Sequence, residues 1–293
     1  MRVATDWTDY ELLDTSSGER LERWGEYTLI RPDPQVMWGS ELNKTADAKY
    51  IRTDSKSGEW LHNRKIPDNW NISYKGLTFK VKPTGFKHTG VFPEQAVNWD
   101  FCTEIISNAG REINVLNLFA YTGGATLACL KAGANVCHLD AVKGMVEWAK
   151  ENATLSGLWN PDEVGQAGGG SPRWIIDDAV KFLNREIKRG KKYDAVILDP
   201  PSYGRGTGGE MWKLEDSLNS LMLKCTEVLS DNPLFLMLNS YTTGLSAQAT
   251  AYLLHMTVGR KYSVTVEADE IGLPVKASGL NMPCGCTAIV RFI

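Results

Sequence analysis

The sequence has no apolar run approaching the roughly 20 residues that a membrane-crossing helix needs; its densest, Leu234 to Leu238, is strand-sized. It is poor in histidine, and His62, His88, His138 and His255 show no metal-ligand spacing. Six cysteines are scattered without a CxxC pair, which excludes both a disulfide framework and a zinc ribbon. Only Cys284 and Cys286 are close; on a strand they would share a face, but a metal there would lack its other ligands. A basic excess is missing too: 32 Lys and Arg stand against 35 Asp and Glu, for a net charge of -3 and a pI near 5.9. That excludes a uniformly basic nucleic-acid sleeve and leaves room for a local basic face. Met1 to Asp14 carry acidic residues and no apolar h-region, so no secretion signal is read there and the expected compartment is the cytoplasm.

What is present has two textures. Residues 1 to 100 hold six of the ten tryptophans and many short segments broken by Pro, Gly and Asn, including Tyr27 to Ile30 and Leu77 to Val81. Residues 1–93 therefore read as a small β-rich domain. Its charge is split: residues 1–26 carry three basic and seven acidic side chains, residues 27–93 eleven basic and six acidic. The second stretch is either a nucleic-acid face or the rim of a small sheet whose core is built from tryptophan.

From residue 94 to 293 apolar runs alternate with helical periodicity, the pattern of βαβ units around a mostly parallel sheet. Seven strands are expected, at Asn114 to Phe119, Asn135 to Leu139, Arg173 to Ile176, Tyr193 to Leu198, Leu234 to Asn239, Ser263 to Glu267 and Thr287 to Phe292. Helices are expected at Ala96 to Ala109, Ala125 to Ala132, Val142 to Ser156, Ala179 to Arg189, Lys213 to Leu229 and Ser246 to Val258. The fold class is α/β, a Rossmann-like sheet with a small N-terminal β-rich domain. Gly165 to Pro172 reads as a flexible insertion rather than a phosphate loop, because no Lys-Ser/Thr follows it.

Ligands of such sheets sit beyond the carboxyl ends of the strands. The first strand, containing Asn117, runs into Phe119-Ala120-Tyr121-Thr122-Gly123-Gly124, where two glycines would let backbone approach a ligand. The second ends in Asp140-Ala141, sixteen residues after Gly124, where a carboxylate can accept both hydroxyls of a ribose. The third ends in Asp177-Asp178, either of which could instead cap the helix that follows. The fourth ends in Asp199-Pro200-Pro201-Ser202-Tyr203, a rim stiffened by two prolines whose carbonyls face outward as acceptors. In that order these four strand ends describe a site for adenosine and a reacting neighbour. The absence of Gly-x-Gly-x-x-Gly from the first turn argues against a nicotinamide dehydrogenase.

Taken together, these strand ends resemble the class I S-adenosylmethionine-dependent methyltransferases, and in particular the branch containing large-subunit ribosomal RNA cytosine-5 methyltransferases. The resemblance covers about residues 85 to 293. It implies that residues 119–124 wrap the methionine part of S-adenosylmethionine, that Asp140 holds the ribose, and that Asp178 or Asp177 meets the adenine amine. The segment His88-Thr89-Gly90-Val91-Phe92-Pro93-Glu94-Gln95 is similar to a linker motif of that branch, which places Gln95 beside the cofactor. Two features depart from the branch: Asn239-Ser240-Tyr241-Thr242-Thr243-Gly244 has no cysteine to attack a base, and an RNA-binding PUA domain is absent or reduced. Cytosine-5 chemistry is therefore not carried over. Asp199-Pro200-Pro201 resembles instead the Asp/Asn-Pro-Pro-aromatic element of amino-methyltransferases, with Tyr203 one place late; this implies that Asp199 and a proline carbonyl orient an amine and that Tyr203 stacks on a base.

The expected function is methylation of an RNA base, ribosomal RNA first, without a metal. Residues 27–93 and the cluster Arg185, Lys188, Arg189, Lys191 and Lys192 would touch phosphates, although cations also suit the end of a helix. A protein or small-molecule methyltransferase, and a binding module without chemistry, remain open. The oligomeric state is not legible.

Overall fold

A computed structural model describes residues 1–39, 45–53, 58–162, 170–205, 211–242 and 244–293, with the side chains of Arg205 and Met211 excepted. Most of the glycine-rich insertion and Thr243 thus lie outside the described residues. The chain divides into two compact units, one of Arg2–Ala96 with Gly272–Cys284, the other chiefly of Val97–Ile271 with Gly285–Ile293. A single cut at residue 93 misses the return of residues 272–284 to the first unit. The cause is the length of two late strands, described below.

In the first unit, β1 (Arg2–Val3) is followed by β2 (Tyr10–Ser16), β3 (Glu19–Trp24), β4 (Tyr27–Pro32), β5 (Ala48–Arg52) and β6 (Gly58–His62). The last five form a sheet in sequence order, and β7 (Trp70–Tyr74) pairs with β8 (Leu77–Val81) in a separate hairpin. Two hairpins turn on Ser17-Gly18 and Lys75-Gly76, all at positive φ, the two-residue geometry whose twist matches that of the strands. The tryptophans are structural: Trp24 is fully buried, and the indoles of Trp7, Trp60 and Trp70 donate to the carbonyls of Pro93, Thr84 and Trp24 at 2.7–2.9 Å. One cation of the basic stretch, Arg31, is turned inward as well. Glu22, fully buried, accepts from Arg31 Nε at 2.6 Å, Arg31 Nη2 at 2.7 Å and the Tyr10 hydroxyl at 2.8 Å, while Arg20 pairs with Asp33 at 2.9 Å. Burial pushes the Glu22 carboxyl up, but the two guanidiniums outweigh it and hold the group below its ordinary range.

The second unit contains α1 (Ala96–Ser107), β9 (Asn114–Leu118), α2 (Gly124–Lys131), β10 (Asn135–Asp140), α3 (Lys143–Leu155), β11 (Pro172–Ile176), α4 (Ala179–Lys188) and β12 (Ala195–Leu198). There follow β13 (Tyr203–Arg205), β14 (Met211–Lys213), α5 (Leu214–Glu227), β15 (Phe235–Ser240), α6 (Ala247–Thr257), β16 (Val264–Pro274) and β17 (Asn281–Phe292). The sheet order is β1-β16-β17-β15-β12-β9-β10-β11, parallel from β15 to β11, with β17 antiparallel to β15. All seven expected strands are present. The eighth, β1, is a two-residue edge, and β16 and β17 run to eleven and twelve residues, well beyond the short strands expected. The β13–β14 hairpin is also new, its strands too short to show a period.

Burial on both faces explains the apolar runs. Leu116, Leu118, Val196 and Leu198 face one core with Phe182 of α4 and Met222 of α5; Val115, Ala195 and Ile197 face the other with Cys102 of α1 and Cys129 of α2. Chain order runs from β9 outward through β10 to β11, then returns to the other side of β9 at β12. The topological switch point therefore lies between β9 and β12, and ligands of such sheets sit beyond the carboxyl ends of the strands at that point. Among the described residues no helix is long and apolar enough to cross a membrane.

Candidate functional site

Two segments flank that switch point: Phe119–Gly124 after β9 and Asp199–Tyr203 after β12. The first is a turn of unusual backbone. Phe119, Tyr121 and Gly123 have φ of 56°, 51° and 91°, so two bulky residues occupy the left-handed region. Such residues persist only where surroundings over-determine them, and they cluster at ligand sites. The surroundings are visible. Ala120 N donates to Leu139 O at 3.0 Å, Tyr121 N to Asp140 Oδ2 at 2.9 Å, and Asn152 Nδ2 to Thr122 O at 2.9 Å.

The two glycines have separate reasons. Gly123 caps α2 in a left-handed conformation, and a Cβ there would lie 3.0 Å from Ala149 Cβ. At Gly124 a Cβ would meet the Trp99 ring of α1 at 2.4 Å. Close packing of α1 thus demands Gly124, a cause the sequence does not announce.

Asp140 ends β10 with both carboxylate oxygens held, Oδ2 by Tyr121 N and Oδ1 by Val142 N, each at 2.9 Å. A carboxylate has about four acceptor positions, so this grip fixes its direction and still leaves capacity to accept from a hydroxyl. Burial pushes the Asp140 carboxyl above its ordinary range, against the backbone N–H groups of Val142, Tyr121 and Ala141. Asp177 accepts from Asp178 N at 2.8 Å and pairs with Arg185. Asp178 caps α4, its Oδ1 accepting from Lys181 N at 2.9 Å. Capping is thus an observed role of Asp178. The pair is tied to the site by Asp177 N, which donates to Asp140 O at 3.1 Å.

On the other flank Asp199 is partly buried and Pro200 buried, whereas Tyr203 is 64% exposed. The expected outward-facing proline carbonyls need correction: Pro201 O is taken by Trp212 Nε1 at 2.7 Å. The Trp212 ring also lies 5.7 Å from that of Phe119. One indole, carried by β14, therefore bridges the turn that begins at Phe119 and the proline rim. A second tie joins Ser202 Oγ to Thr242 Oγ1 at 2.6 Å, linking the loops after β12 and β15. Trp99, Trp212 and this hydroxyl pair escaped the sequence, since none belongs to a motif.

Asn117 points to the floor beneath the turn, where Asn117 Nδ2 donates to Thr126 Oγ1 and Thr126 Oγ1 meets His138 Nδ1, each at 2.9 Å. Burial pushes His138 down to about 3, so its ring is neutral. Ser240 is buried, and its hydroxyl accepts from Thr242 N at 3.2 Å. Gln95 is buried in the 3-10 turn Pro93–Gln95, within the first unit. All six cysteines are buried free thiols.

Residues 38–236 match the family model described as S-adenosylmethionine-dependent methyltransferase. A solved structure of an S-adenosylmethionine-dependent methyltransferase from Agrobacterium tumefaciens is 34% identical, with a TM-score of 0.89, covering 99% of this chain and 92% of that one. Ribosomal RNA large subunit methyltransferase K/L of Shewanella frigidimarina is 28% identical over 69% of this chain and 25% of its own length. Ribosomal RNA large subunit methyltransferase I of Tolumonas auensis is 33% identical over 44% of this chain and 29% of its own. The chain thus spans under a third of the length of these two curated relatives.

Proposed function

The chain belongs to the family of S-adenosylmethionine-dependent methyltransferases, and from that premise we propose that it methylates a base of ribosomal RNA at an exocyclic amine. The observation that carries this reading is the switch point, with a turn of positive-φ residues and a held carboxylate on one flank and the Asp199-Pro200-Pro201 rim on the other. The donor set suits an adenosine: Asp140 for the ribose hydroxyls, Asp178 or Asp177 for the adenine amine. The segment Phe119-Ala120-Tyr121-Thr122-Gly123-Gly124, with Ala141, completes the cofactor set of the second unit, and Asn117 supports the turn through Thr126. When bound, S-adenosylmethionine supplies a methyl group on a sulfonium sulfur, activated for direct displacement.

For such a displacement the protein chiefly orients the nucleophile and manages one proton. Asp199 and the Pro200 carbonyl accept hydrogen bonds from the amine, which directs its lone pair toward the methyl group. Asp199 then takes, or passes to water, the proton that nitrogen loses as the new bond forms. Tyr203, largely exposed, is a platform on which the base stacks, as aromatic side chains do for unpaired bases. Trp212 acts through Pro201 and Phe119 and is a positioning residue.

The test is methyl transfer from labelled cofactor to RNA taken from cells unable to make the protein. Asp199→Ala is expected to keep cofactor binding and lose about 10²- to 10⁴-fold in turnover, the range for a positioned proton acceptor. Unchanged turnover removes Asp199 from the chemistry. Label appearing only in protein would replace the RNA assignment.

A further inference from the structure

The cations of α4 that the sequence brings forward do not stand alone. Lys192 Nζ donates to Glu227 O at 2.7 Å, Lys261 Nζ pairs with Glu227 at 3.4 Å, and Tyr193 N donates to Val228 O at 2.8 Å. The end of α4, the end of α5 and the turn Val258–Arg260 after α6 therefore meet in one place. Across segments 186–192, 220–231 and 255–262 there are seven Lys and Arg (Lys188, Arg189, Lys191, Lys192, Lys224, Arg260, Lys261) and three carboxylates, of which buried Glu186 pairs with Arg189 at 3.0 Å, in a chain whose net charge is -3. Six of the seven cations are exposed, Lys224 being half-buried. Three of the seven, Lys224, Arg260 and Lys261, line a groove of about 460 Å³ whose walls also include Ile187, Leu223 and Glu227.

Helix dipoles favour cations here, but the effect fades within the last turn. It does not account for Lys191 and Lys192, which lie beyond α4, nor for gathering so much like charge on an acidic protein. A polyanion complements such a surface.

Its position is equally informative. Tyr193 and Asp194 precede β12, whereas Asp199 follows it, so the basic ridge lies at the opposite end of the strands from the switch-point residues. The four residues of β12 alone separate those ends by about 13 Å at roughly 3.3 Å per residue.

We propose that this ridge, formed where α4, α5 and the turn after α6 converge, is a second RNA-backbone surface that anchors substrate remote from the nucleotide being methylated. It rests on the RNA assignment made above and adds a consequence: only RNA long enough to reach round the sheet engages both places.

The test uses the full chain with Lys188→Glu, Lys191→Glu and Arg260→Glu combined; these three side chains face solvent, so the substitutions leave the ion pairs of Arg189 and Lys261 in place. Calorimetric binding of S-adenosylmethionine and the circular dichroism spectrum verify the fold. Against full-length ribosomal RNA, the slope of log affinity on log salt is expected to become shallower by about 2, from about 0.7–0.9 for each lost phosphate contact. KM for that RNA should rise with kcat unchanged. For a short single-stranded oligoribonucleotide, affinity and methylation should match the parent protein. An unchanged slope with full-length RNA, in a parent protein that does bind it, overturns the ridge and leaves the RNA assignment intact. Failure of the parent to bind any RNA at low salt overturns both.

Discussion

Residues 27–93 and the ridge at the ends of α4, α5 and α6 each carry surplus positive charge, and they differ in how many of their cations meet a carboxylate of the same unit. In the first region Arg31 meets Glu22, Lys49 meets Glu19, Lys75 meets Asp6 and Arg64 meets Asp47, all at 2.6–2.7 Å. Three of those four carboxylates come from the acidic first 26 residues, so a charge split along the sequence is a set of pairs within the folded unit. On the ridge Arg189 meets Glu186 and Lys261 meets Glu227, while Lys188, Lys191 and Arg260 stay in solvent. The net charge of a stretch therefore says little about how much of it a partner can reach; what decides is whether the opposite charge folds against it.

Deleting Glu22 should separate the two regions most sharply. Glu22→Ala leaves Arg31, with Arg20 nearby, in a dry interior, and stripping one partner from a buried pair costs about 3–5 kcal/mol. Urea unfolding of the full chain, followed by tryptophan fluorescence, should show that loss. The matching deletion on the ridge, Lys191→Ala, should fall within about 0.5 kcal/mol of the parent. Similar costs would mean that the contrast is false.

Acid should attack the buried groups next. His88 and His138 are pushed by burial down to about 4 and about 3. A histidine depressed in the folded state contributes stability that is complete above its unfolded value of about 6.5 and lost as pH falls toward the folded value. Between pH 7 and pH 5 each should therefore cost about 2 kcal/mol, one in each unit. Glu22, also depressed, follows the same sign at lower pH: its contribution is present above the ordinary carboxylate value and fades as pH falls below it. His88→Asn and His138→Asn should each flatten one part of the loss between pH 7 and pH 5. The ridge holds no buried histidine, and Lys188→Ala should leave the profile unmoved.

The same contrast marks how far residues alone can be read. The seven strands and six helices stand near the expected places because burial on both faces of a parallel sheet leaves continuous apolar runs, as at Val115 to Leu118. The four strand ends were equally legible, since Asp140 and Asp199 stand where runs stop. What stayed hidden was tertiary. Nothing near Gly124 in sequence says that Trp99 needs its space, and Trp212 reaches Pro201 from a three-residue strand with no period. The outward proline rim failed for that reason. The return of residues 272–284 to the first unit was missed because long antiparallel strands carry no mark of where one core ends and another begins.

The smallest effect gives the finest discrimination. Lys49 meets both oxygens of Glu19, at 2.7 and 2.9 Å, with both side chains partly exposed. Exposed pairs of this kind contribute about 0–1 kcal/mol, so Lys49→Met should cost less than about 1 kcal/mol. Because the Debye length shrinks to about 3 Å at 1 M salt, most of that cost should vanish there. Lys191→Met should show the reverse pattern: no change in stability at any salt, but a slope of RNA affinity on salt shallower by about 0.7–0.9. If Lys49→Met moved the RNA slope as well, cations of residues 27–93 would be touching phosphate despite their internal partners, and the two regions would form one RNA surface instead of two fates for the same charge.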